Sequence, residues 1–150
     1  MKKMETLSKA AIVIDADGLI LGRMASTVAK NLLRGEHVMI VNAEKAVLSG
    51  RKKTKVNEAK EFLDVGGVGR GPFHYRRPDR IVRKAVRGML PIRKSKGLLA
   101  YRRLHVFIGI PDNLKGQKMN TLVDAQAKKL TCPYFTVSEL AKGIGWNQGE

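Results

Sequence analysis

The residues with the most chemistry in this chain lie in its middle third. The stretch "VGGVGRGPFHYRRPDR" (65–80) places four glycines in seven residues and follows them with Arg70, Phe73, His74, Tyr75, Arg76 and Arg77. Glycines let backbone amides come close to phosphate oxygens, guanidinium groups offer forked donors, and aromatic rings stack on unpaired bases. Two anionic partners suit such a segment, a bound nucleotide or a nucleic acid. A dinucleotide fingerprint requires G-x-G-x-x-G directly after a strand. Here Gly67, Gly69 and Gly71 are spaced G-x-G-x-G and follow a helical pattern. A phosphate loop requires G-x-x-x-x-G-K-S/T, and "SGRKKT" (49–54) lacks the first glycine at that distance. Spacing and context therefore disfavour a small nucleotide-dependent enzyme and favour RNA.

Charge points the same way. The 150 residues hold 29 Lys plus Arg against 13 Asp plus Glu, a net charge of +16 with a pI near 10.3, which suits a polyanionic partner. Residues 1–50 carry 7 basic and 5 acidic side chains, residues 51–103 carry 17 and 4, and residues 104–150 carry 5 and 4. The excess is concentrated in the middle segment. Within it, "PDRIVRKAVRGML" (78–90) sets Arg80, Arg83, Lys84 and Arg87 at spacings of three and four, so a helix gathers them on one face. Ile81, Val82, Ala85, Val86, Met89 and Leu90 fall on the other face and are expected to meet the core. The stripe itself holds no acidic residue, and a polyanion would relieve its self-repulsion. Ser49, Gly50, Arg51, Lys52, Lys53 and Lys55 extend the charge on one side. Arg93, Lys94 and Lys96 of "PIRKSKG", with Arg102 and Arg103, extend it on the other.

Other chemistries are poorly served. His37, His74 and His105 have no metal-ligand spacing with one another or with Cys132, the one cysteine, and no metal or cofactor is expected. A lone cysteine suits a reducing, intracellular setting. Asp15, Asp17, Glu44 and Asp79 each lie beside turn or cap signals that account for them, so no catalytic set emerges. The apolar run near the N-terminus stops at Asp15, too short for a membrane span.

The elements that must position these residues read as α/β. "AAIVI" (10–14) is a β-branched strand, "RMASTVAKNLLRG" (23–35) has helical apolar spacing with a glycine stop, and "HVMIVN" (37–42) is a second strand, together a βαβ unit. Helices are predicted over Lys52–Asp64 and from Pro78 onward. A third strand is predicted at "LHVFIGIP" (104–111), a helix over "NTLVDAQAKKL" (120–130), and a capped helix at "TVSELAKG" with Thr136 and Glu139 as a capping box. The fold expected is one α/β domain with helices on both sides of a small, mostly parallel sheet.

"VIDADGLILGRMASTVAKNLLRGEHVMIVNAEKAVLSGRK" (13–52) resembles the opening of the universal large-subunit ribosomal protein family thirteen, and "RGPFHYRRPDRIVRKAVRGMLP" (70–91) resembles its central signature. The "GPFHYRRP" form is similar to the archaeal and eukaryotic branch. Without a basic extension after "GIGWNQGE", archaeal members are the nearest likeness. The resemblance implies a three-layer α/β/α fold around a four-stranded parallel sheet. It implies no enzymatic activity, but binding to large-subunit ribosomal RNA beside neighbouring ribosomal proteins, in the cytoplasm, with neither membrane nor small-molecule substrate involved. It maps the "SGRK" turn to Ser49 through Lys52, "GPFHYRRP" to Gly71 through Pro78 and "VRGMLP" to Val86 through Pro91. The whole chain, residues 1–150, is then an RNA-binding domain whose RNA-facing segment spans about 49–103. A free-standing RNA-binding regulator is the other reading that these residues admit.

Overall fold

In a computed structural model of the protein, residues 11–67, 69, 71 and 74–147 are described. Strand β1 (Ala11–Asp15), helix α1 (Leu21–Arg34) and strand β2 (His37–Val41) form the expected βαβ unit, with β1 and β2 parallel and Ile12 opposite Val38. Strand β4 (Leu104–Val106) joins the other side of β2, also parallel, with Ile40 opposite Val106. Alternation along these strands divides their side chains between two faces. Ile14, Val38, Ile40 and Leu104 point into the main core, whereas Val13, Met39 and Val41 face the other way.

Helix α1 covers the main core face because Met24, Ala25, Val28, Ala29 and Leu32 recur every three or four residues, and all are buried. Its end is fixed by Gly35, whose φ of 104° few other residues adopt. Against α1 pack helix α3 (Pro78–Gly88), through the fully buried Val82 and Val86, and helix α4 (Ser95–Arg102), through Ala100. The opposite sheet face has a thinner cover, a 3-10 turn at Asp112–Leu114 that inserts Leu114 beside Phe107 and Met119.

The class is α/β, but the parallel sheet has three strands and not the four expected. The reason lies at Asn42, which takes a left-handed φ of 54° and starts a 3-10 turn at Ala43–Lys45. This turns the chain out of the sheet. Strand β3 (Val47–Ser49) then pairs antiparallel with β5 (Tyr134–Thr136) as a separate ribbon. The third strand is also shorter than "LHVFIGIP" suggested. After Val106 the chain turns, and the Gly109 amide donates to Glu44 at 3.1 Å. Residues 120–130 form two 3-10 turns in place of an α-helix. Their backbone is drawn into pairing with the 18–20 turn, Ala127 donating to the Gly18 carbonyl at 2.8 Å and Ile20 to that of Ala125 at 2.7 Å.

Helix α2 (Lys52–Asp64) has the predicted bounds and buries no residue completely. It leans on helix α5 (Val137–Gly143), whose Thr136 cap accepts from the Glu139 amide at 3.2 Å as the capping box predicts. Among the described residues no helix is long and apolar enough to cross a membrane.

Candidate nucleic-acid interface

The basic stripe is built by α3. Pro78 opens the helix where its missing amide costs nothing, Asp79 complements the positive helix end, and Val82 and Val86 anchor the inner face. That leaves Arg80, Arg83, Lys84 and Arg87 exposed together. Met89, expected in the core, is 44% exposed because the helix stops at Gly88 and Met89 is its cap, while Leu90 turns back inside.

Several of these cations are held in place by rings. The Arg83 guanidinium lies 4.8 Å from the Tyr101 ring centroid and that of Arg80 5.7 Å from Tyr75. Such contacts contribute about 0.5–1 kcal/mol at exposed sites and limit the rotamers each arginine samples. Lys84 Nζ lies 3.5 Å from His74 Nδ1. Arg77 donates from Nε to Asp79 at 3.1 Å. Beyond the helix, Lys84 and Arg87 face Arg93 and Lys94 across an open cleft of about 560 Å³ floored by Leu90 and Ile92. Four cations on one cleft favour phosphate oxygens, for which backbone geometry and charge suffice.

The sequence did not predict α4, yet α4 sets one side of this surface. It brings Lys96 and Arg102 to the exterior and supplies Tyr101. Arg103 is half-buried and turned inward, donating to the Leu32 carbonyl at the C-terminal end of α1 at 3.3 Å, where a cation is favoured. The group 49–55 is displaced from the stripe. Ser49 pairs within the β3–β5 ribbon, and the Gly50 amide donates to Pro133 at 2.8 Å. Lys52 meets Glu139 at 3.1 Å and Lys55 meets Glu58 at 2.8 Å. These exposed pairs are weak and leave both lysines accessible to a stronger anion. Arg51, Lys53 and Arg76 are exposed. Arg70 and Phe73 lie outside the described residues.

His105 sits behind the surface on β4. Partial burial lowers its pKa below the usual 6.5, and Arg83 and then His37 add to the effect. Two aromatic residues of this surface were not anticipated, Tyr101 and Phe62. The sign for Phe62 was its place on α2, about a quarter-turn off the stripe of Val56, Ala59 and Leu63, where a large apolar side chain cannot be buried with them.

The chain matches the family described as Ribosomal protein L13 over residues 9–113, more than two-thirds of its length. The chain belongs to this family. Its similarity to L13 relatives runs further than that match. The Large ribosomal subunit protein uL13 of Archaeoglobus fulgidus is 44% identical over 145 residues, 95% of this chain and 93% of the relative. That of Methanosarcina barkeri is 46% identical over 135 residues, 89% of this chain and 96% of the relative, and that of Aeropyrum pernix is 42% identical over 92% of each. The L13 match contains every cation of the α3 face and of the adjoining cleft.

Proposed function

We propose that this protein is a structural constituent of the large ribosomal subunit, bound to its ribosomal RNA and supporting subunit assembly, with no reaction of its own. The observation that carries this reading is the exposed face of α3, whose four cations stand together and form no salt bridge among the described residues, on a chain of the L13 family. On this reading residues 1–150 are one RNA-binding α/β domain, with its RNA-facing segment at about 49 to 103. Phosphate contact falls to Arg80, Arg83, Lys84, Arg87, Arg93 and Lys94, with Arg51, Lys52, Lys53 and Lys55 as a second, separate patch. The partners are large-subunit ribosomal RNA and neighbouring ribosomal proteins in the cytoplasm.

Sedimentation of cell extract tests this. At moderate salt the protein should travel with large subunits, and after ribonuclease digestion it should leave that fraction. A protein found mainly in the free fraction at moderate salt contradicts the reading.

A further inference from the structure

Phe62 is 62% exposed, an unusual position for a phenylalanine in a helix that has Val56, Ala59 and Leu63 to pack inward. Its ring centroid is 5.9 Å from that of His74, and the two planes are inclined at 48°. At this separation the two rings touch in a tilted pair with no space for a base between them, and both border an open wedge. The wedge encloses about 140 Å³, floored by Ile81, Leu140 and Ile144 and edged by Lys84. That space is close to the volume of one planar heterocycle. Between α2 and His74, Gly67 bridges to Gly71, and Gly66, Gly69 and Gly71 are all at positive φ.

We propose that this wedge receives one unpaired base of the RNA, with Phe62 as its stacking surface; the proposal rests on the RNA-binding reading above. Flat aromatic walls suit a base, because every base offers a π face, and the surrounding segment 51–103 carries 17 basic residues to hold the strand that bears it. An apolar side chain of a neighbouring protein would use only the bulk of Phe62. A base needs its ring.

The test is titration of deproteinised large-subunit ribosomal RNA with the wild type and with Phe62→Ala, Phe62→Leu and Phe62→Trp, each at several salt concentrations, with thermal unfolding to verify the fold. Loss of one stacked base should weaken binding by about 5- to 150-fold in Phe62→Ala and Phe62→Leu. The slope of log affinity against log salt should stay unchanged, since every phosphate keeps its cation. Phe62→Trp should bind like the wild type. Phe62→Leu keeps the bulk, so it remains informative should Phe62→Ala lose stability. Wild-type affinity in Phe62→Leu would overturn the base site alone. Failure of the wild type to bind RNA would overturn the RNA reading and the site with it.

Discussion

Arg83 on α3 lies over the ring of Tyr101 on α4, with 4.8 Å between the guanidinium carbon and the ring centroid. The contact ties one cation of the stripe to a second helix, so the arginine would meet a bound phosphate with fewer rotamers to lose. Tyr101→Leu preserves apolar packing but removes the face that holds the guanidinium. Affinity for ribosomal RNA should fall by about two- to fivefold, the equivalent of about 0.5–1 kcal/mol. Equal affinity in a direct titration would show that Arg83 needs no such support.

Gly97 governs where α4 sits. It is buried, and a Cβ there would run into the Pro91 carbonyl, a backbone atom that cannot rotate away. Alanine is the better helix former by about 1 kcal/mol, whereas overpacking costs about 1–3 kcal/mol. With a backbone oxygen in the way the overpacking should lie at the upper end of that range and win, and Gly97→Ala should lower stability by up to about 2 kcal/mol in urea unfolding. A stabilised variant would mean that α4 is free to shift.

The difference between α1 and α4 shows what the sequence made legible. Met24, Val28 and Leu32 announce α1 by period alone, and α2 could be bounded to the residue because glycines follow it. Helix α4 has no such stripe. Leu98 and Leu99 are 43% and 50% exposed, and the helix is held by the small Gly97 and Ala100, which leave no apolar pattern to read. Nor could the fate of Val47–Ser49 be read locally, since its partner Tyr134–Thr136 lies far along the chain. At the candidate site the stripe itself was visible in the spacing of Arg80, Arg83, Lys84 and Arg87. The inward turn of Arg103 toward Leu32 was not, because that bond joins residues remote in sequence.

His105 gives the fold a pH dependence with a definite sign. Its folded pKa is lowered, first by burial and then by Arg83 and His37, so below 6.5 the unfolded state binds more protons. Its contribution is complete above pH 6.5 and is lost as pH falls from there toward the folded value. Thermal unfolding from pH 8 to pH 5 should therefore show the wild type losing stability more steeply than His105→Gln. Parallel curves would remove His105 from the account.

Val82 marks the other side of α3, fully buried beneath the stripe. Val82→Asp places an unpaired carboxylate in the core and should unfold the protein, seen as loss of the cooperative melt. A folded Val82→Asp variant would mean that the inner face of the helix is wrongly assigned.

The measurement that bears most directly on the central claim is the salt dependence of RNA binding after Arg80, Arg83, Lys84 and Arg87 are all replaced by Gln. All four are exposed and Gln keeps helix propensity, so the fold should survive. Each phosphate left without its cation flattens the plot of log affinity against log salt by roughly 0.7–0.9, and three or four such phosphates should lower the slope by about two to four. A folded variant that binds large-subunit ribosomal RNA with the wild-type slope would contradict the claim that this face of α3 holds the RNA backbone.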